Sequence, residues 1–163
     1  MTATRKSWKP AIAVPALVTA LCAAPTQSSL AAQPAPDVTV EEAVIYGQDQ
    51  GSALLADLAY PEGVSELPAI IYVHGGSWRA GSRNGNNALD VGQWARFGYF
   101  AMTIDYRLVE ASPAPAPYQD VLTAIRWVHA HADEYGVDPD RIHLIGNSAG
   151  GHLVTLAATL GDG

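Results

Sequence analysis

The stretch HLIGNSAGGHLVTLAATLGDG, residues 143–163, decides how this chain is read. It begins as a short apolar run and turns through Gly146-Asn147-Ser148-Ala149-Gly150. It then continues with Ala149, Leu153, Leu156, Ala157 and Leu160 at the spacing of one helical face. A serine hydroxyl is a weak nucleophile unless it is exposed beside a base. A G-x-S-x-G pentapeptide between strand and helix exposes it on a sharp turn, and the two glycines leave the space that turn needs. Ser148 would then sit at a helix N-terminus, where free amides favour negative charge.

About 70 residues upstream, YVHGGSW (Tyr72–Trp78) also leaves an apolar strand and enters a loop dense in Gly, Ser and Asn. Acyl transfer places negative charge on the former carbonyl oxygen, and that charge needs pre-aimed N–H donors. Losing one such donor costs about 2.7–4 kcal/mol. Glycines let a substrate approach the backbone closely enough to use its amides. The expected donors are the N–H groups of Gly76, Ser77 and Ala149, with Gly75 as an alternative. His74 is expected to brace the loop. Either motif alone is also compatible with a plain glycine-rich turn; together, in this order and context, they point to a serine nucleophile facing an oxyanion hole.

The chain has 163 residues and a formal charge of −7. All of its basic residues before Gln33 (Arg5, Lys6, Lys9) precede an apolar stretch, Ala11–Ala24, and small residues suited to cleavage near Ala31 or Ala32. Residues 1–32 therefore read as a signal peptide directing the chain out of the cytoplasm, secreted or periplasmic. The apolar stretch is short for a membrane anchor and carries Pro15. Leu21 before Cys22 is too bulky for a lipoprotein signal. Residues 33–37 form a linker and 38–163 the domain. From Gln33 onward the chain carries six arginines, no lysine and sixteen acids. Nucleic-acid affinity comes largely from Lys and Arg, so no nucleic-acid partner is expected, nor a stable membrane association after cleavage.

Residues 38–47 and 53–61 read as strands of an antiparallel hairpin. Ala69–Val73 is a continuously apolar run, as in a strand buried on both faces. Residues 87–97 look helical, 99–106 form a strand, and the Pro-rich Ser112–Asp120 forms a crossover. A helix then starts at Tyr118, with Val121, Ala124, Ile125, Val128 and Ala132 on one face. The Asp138-Pro139 step reads as a turn with Arg141 as partner, and 141–146 as a fifth strand. Alternating strands and helices imply an α/β fold with a mostly parallel sheet flanked by helices.

HGGSW, DYRL (Asp105–Leu108) and GNSAGG together resemble the esterase and lipase branch of the α/β-hydrolase fold, in particular the carboxylesterase group that includes acetylxylan and feruloyl esterases. The resemblance runs from about Val38 to the end. It implies Ser148 as nucleophile, cleavage of a small-molecule or carbohydrate-linked ester, and no cofactor or metal. The third Gly of the family's usual His-Gly-Gly-Gly is Ser77 here, which a backbone donor tolerates. His-Gly-Gly-x-Trp also resembles arylformamidases, so an amidase is the second reading, and a binding module that lost catalysis a third.

The family orders its triad as Ser, then Asp or Glu, then His. On that order the acid and base follow residue 163, and the later strands of a full domain are missing, which makes the chain alone inactive. The outer edge of the fifth strand would then invite aggregation or complementation by another segment. Of the histidines present, His152 continues into the helix, His143 is expected in packed core, and His129 and His131 point about 200° apart on a helix. Asp105 precedes Ser148 and is expected to pair with a cation or cap backbone; Asp120 is expected to favour the positive end of its helix.

Overall fold

The computed structural model describes residues 36–49 and 51–161. The expected signal peptide, and the linker up to residue 35, lie outside the described residues. Strands β1 (Val38–Asp49) and β2 (Ser52–Pro61) form the expected antiparallel hairpin. The other strands are β3 (Leu67–Val73), β4 (Phe100–Ile104) and β5 (Val137–Gly146). The helices are α1 (Val91–Arg96), α2 (Ala116–Ala130), the single turn α3 (Ala132–Tyr135) and α4 (Ala149–Leu160). The sheet order is β1-β2-β4-β3-β5. β3 is parallel to both β4 and β5, whereas β2 meets β4 antiparallel.

The apolar runs are central for the reason their composition gives. Phe100, Met102 and Ile104 of β4, with Ile71 and Val73 of β3, are completely buried. Each such side chain contributes about 1.5–3 kcal/mol relative to exposure. On α2, Val121, Ala124 and Val128 are buried as their spacing requires, while Ile125 is half-buried against the core. The helix starts two residues before the expected Tyr118 and takes Pro117 into its first turn, where a missing N–H costs nothing.

Two expectations about the last elements need correction. β5 begins at Val137 rather than Arg141, with a register shift against β3 between Leu67 and Ala69. Within that irregularity Asp138 accepts from the Asp140 N–H at 3.0 Å and pairs with Arg141, so the turn chemistry is present inside the strand. The carboxyl of Asp138 is held below its ordinary range by Arg141 and by the Asp140 N–H. His143 is exposed, not core, because β5 ends the sheet order and its outward face has no covering layer among the described residues. Ile145 is 39% exposed on the same strand.

β3 and β5 are parallel neighbours whose last residues pair, Val73 with Gly146. Both strands therefore release their following loops at one edge of the sheet. The backbone locks that edge, since the Asn147 N–H donates to the Val73 carbonyl at 3.2 Å.

Candidate active site

Ser148 follows β5 and caps α4, with φ 51° and ψ −114°. A non-glycine residue there is strained, at a cost of order 1–3 kcal/mol that the surroundings must sustain. The surroundings are tight. A Cβ on Gly150 would lie 2.0 Å from the Val73 carbonyl oxygen, and one on Gly146 would lie 2.4 Å from the Gly150 carbonyl. The helix is thus pressed onto the end of β3, and the elbow has room only for glycine at these places.

The HGGSW loop meets the elbow directly. A Cβ on Gly75 would fall 2.8 Å from the Asn147 carbonyl oxygen and 3.3 Å from the Ser148 Cβ. Gly76 has φ 121°, with its open side against the Ala80 carbonyl, which accepts no side chain there. Ser77 and Trp78 follow at φ 54° and 61°, so Ser occupies a left-handed turn where a third glycine would be unstrained. The turn is held by Arg79 and Ala80 N–H donating to the Gly76 carbonyl at 3.0 Å each. It is held again by Val109 N–H donating to the Trp78 carbonyl at 2.9 Å. Among the described residues, the N–H groups of Gly75, Gly76, Ser77 and Ala149 donate no hydrogen bond.

A cavity of about 230 Å³ lies here, lined by His74, Gly75, Gly76, Asn147 and Ser148, with Asn86 and Asn87 across from them. The structure therefore brings Ser148, Gly75 and Gly76 to one cavity. Neither Ser77, which is exposed, nor Ala149, which is buried at the first position of α4, is part of its lining.

His74 is buried, with its Nδ1 2.7 Å from the Gly75 carbonyl oxygen and its ring stacked on Tyr106 at 4.3 Å. The Tyr106 hydroxyl donates to the His74 carbonyl at 3.1 Å, and burial pushes that phenol up to about 12. His152 lies one turn into α4, edge-on to Trp78 with ring centroids 5.3 Å apart. The His152 backbone N–H donates to the Ser148 carbonyl at 3.0 Å, but among the described residues no histidine side chain is hydrogen-bonded to the Ser148 hydroxyl. His129 is exposed, and His131 stacks on Trp127 at 4.2 Å.

The DYRL segment supplies what sequence reading left unassigned. Asp105 accepts from the Arg83 N–H at 2.7 Å and from its Nη1 at 2.6 Å, the cation pairing and backbone capping expected of it. Arg83 also reaches Asp57 on β2 at 2.8 Å, so it pins the loop after HGGSW to the sheet. Hydrogen bonding to Asp57 and Asp105 raises the guanidinium further above its ordinary value. Asp120 does not serve its helix end. It is buried, and its carboxylate accepts from Arg107 Nη2 at 2.6 Å, Nε at 2.9 Å and the Arg107 N–H at 2.8 Å. Asp49 also pairs with Arg107. The one local signal for these partners was the unbroken run Asp105-Tyr106-Arg107 at a strand end; their mates lie 13 to 58 residues away.

The chain is 32% identical over 126 residues to the carboxylesterase NlhH of Mycobacterium tuberculosis, covering 77% of this chain and 39% of the relative. It is 34% identical over 93 residues to the arylacetamide deacetylase of Bos taurus, covering 55% and 23%. Esterase B from Lactobacillus rhamnosis superposes with a TM-score of 0.64 at 34% identity, over 75% of this chain and 40% of that one. A butyrate-bound esterase, Est2 of Thermogutta terrifontis, gives 0.63 at 31% identity, over 76% and 44%. The chain thus spans about two-fifths of the length of the carboxylesterase and esterase relatives. The BD-FAE family description matches residues 56–163. By that match and by these relatives, the chain belongs to the BD-FAE family, among the esterases of the α/β-hydrolase fold.

Proposed function

We propose that this chain carries the nucleophile and oxyanion cradle of a serine esterase. The observation that carries the reading is the contact of the HGGSW backbone with the Ser148 elbow, where the Gly76, Ser77 and Ala149 N–H groups are without acceptors. Ser148 Oγ attacks the ester carbonyl carbon and gives its proton to a base. The tetrahedral oxyanion rests under the free amides, which stabilise it more than they do the neutral carbonyl. The carbon–alkoxy bond then breaks, the alcohol leaves with the proton, and water hydrolyses the acyl-enzyme by the reverse route. His74 and Tyr106 position the cradle. The acid and base are proposed to lie beyond the described residues, in the order Ser, Asp or Glu, His, so that the 163 residues alone turn over negligibly. Export by residues 1–32 is part of the same proposal and suits an enzyme acting on esters outside the cytoplasm.

Hydrolysis of p-nitrophenyl acetate tests this with the 163-residue chain, with the chain extended along its reading frame, and with Ser148→Ala in both. The extended protein should turn over and lose at least about a thousandfold with Ser148→Ala. Serine-independent turnover would reject the nucleophile. Robust Ser148-dependent turnover by the shorter chain would reject its incompleteness. A relative named for deacetylating an arylacetamide supports amide cleavage as a second reading. Comparing an aryl ester with the matching arylamide separates the two.

A further inference from the structure

The turn after β3 concentrates backbone strain. Gly76, Ser77, Trp78 and Gly81 have φ of 121°, 54°, 61° and 105°. Residues with side chains keep such a backbone only where the surroundings over-determine it. Here residues 80 and 81 supply the surroundings. A Cβ on Gly76 would lie 1.9 Å from the Ala80 carbonyl oxygen. One on Gly81 would lie 2.4 Å from His74 Nδ1 and 2.5 Å from the Gly75 carbonyl oxygen. Residues 80 and 81 therefore rest directly on residues 74–76, and a shift of one segment carries the other.

His74 is held from a second direction. Tyr106 stacks on its ring and donates to its carbonyl. Gly81 follows β3 in the chain and Tyr106 follows β4, and Arg83 joins the two segments. Two residues after Gly81, it gives its N–H and its Nη1 to the two carboxylate oxygens of Asp105, the residue before Tyr106. Its Nε goes to Asp57 on β2. The side chains of Arg83, Asp57 and Asp105 are 16%, 14% and 32% exposed. Pairs that solvent reaches add little to global stability. A planar guanidinium held by two carboxylates does fix position and angle. The link is thus built to set geometry more than to hold the fold together.

We propose that Arg83 is a positioning residue for hydrolysis at Ser148; the proposal rests on the esterase reading above. Arg83 is not part of the cavity lining, so it acts through the loop. It holds residues 80 and 81 against His74, Gly75 and Gly76, and the Gly76 and Ser77 N–H groups stay aimed at the point where the oxyanion forms. Those donors act on the transition state, so misplacing them lowers kcat and kcat/KM together and spares KM. Loss of one donor costs about a hundred- to a thousandfold in kcat. Misplacement by about 1 Å can cost about a hundredfold. Loosening the loop leaves the donors present, so the loss should be about ten- to a hundredfold.

The test uses the extended protein with p-nitrophenyl acetate. It compares Arg83→Met, Asp105→Ala and the two combined, each rate being taken per folded molecule from circular dichroism. Each single variant should lower kcat by about ten- to a hundredfold with KM within about threefold of the parent. The combination should stay within about threefold of the worse single variant, because both cut one link. The Arg79 and Ala80 N–H groups bond the Gly76 carbonyl at 3.0 Å, and their exchange should quicken at least about tenfold while β3 and β4 amides are unchanged. Unchanged kcat in folded variants, a rise in KM at constant kcat, or losses that multiply in the combination would each overturn the role of Arg83 and leave the esterase standing. An unmutated extended protein without Ser148-dependent turnover overturns the esterase reading instead. Exchange at Arg79 and Ala80 then still decides whether Arg83 holds the loop.

Discussion

Asp120→Ala is the substitution whose cost the structure specifies most closely. The Asp120 side chain is 1% exposed and that of Arg107 is 8% exposed. Arg107 stays charged at any pH a protein survives, and hydrogen bonding to Asp120 raises its guanidinium further. Removing the carboxylate strands that charge and also the Arg107 N–H, which loses its 2.8 Å acceptor. Breaking a buried pair from one side costs about 3–5 kcal/mol. Asp49 remains with the guanidinium, but its side chain is 45% exposed and solvent screens it. The loss is thus placed at the lower end, about 3 kcal/mol, a large part of a typical total of about 5–15 kcal/mol. At an m-value of roughly 1–3 kcal/mol/M in urea, the unfolding midpoint followed by circular dichroism should fall by about 1.5 M. The apolar double variant Arg107→Met/Asp120→Leu should recover most of that loss, because neither charge then remains buried alone. A midpoint shift for Asp120→Ala below about 0.5 M, or a double variant worse than the single, would refute the claim that an unpartnered guanidinium is what destabilises.

Gly150→Ala should destabilise by at least about 1–3 kcal/mol or prevent folding, since its Cβ would meet the Val73 carbonyl at 2.0 Å. Gly92→Ala, on α1, meets nothing nearer than 3.5 Å and should gain about 0.5–1 kcal/mol, both read by thermal melts. Asp105→Asn severs the Arg83 pair from a carboxylate 32% exposed. It should move global stability by no more than about 1 kcal/mol while amide exchange across residues 76–88 speeds up; unchanged exchange would contradict the clamp. Tyr106 has its phenol raised by burial from 10.0 to about 12, so the unfolded chain deprotonates first. Its contribution is whole below pH 10.0 and lost as pH rises through about 12, so the melting-temperature gap between wild type and Tyr106→Phe should narrow across that window.

Much of the scaffold could be read locally because each segment's pattern matches what surrounds it. Ala69–Val73 is apolar without interruption because β3 lies between two strands and under helices. The faces of α2 and α4 follow helical spacing, although Leu156 lines a cavity instead of core and Leu160 is 61% exposed. The pentapeptide and HGGSW were legible because each motif is a contiguous solution to a steric problem. His143 misled because its burial depends on what stands beyond β5, which its own run of residues does not encode. The partners of Asp120, Asp105 and Trp78 were hidden for the same reason. Pairings such as Arg83 with Asp57, 26 residues apart, exist only once the sheet has formed.

The pairing of Val73 with Gly146 makes the sheet edge that carries Ser148 a gauge of strand alignment. Slipping β5 by one residue would carry the serine about 3.3 Å along the strand and turn every side chain of β5 to the opposite face. The glycine loop would stay where it was, and the two halves would no longer face each other. On the proposed role of Ser148, its reactivity in the extended protein toward a serine-directed phosphonate would therefore report on correctly threaded molecules alone, with mis-threaded ones remaining silent in the same sample.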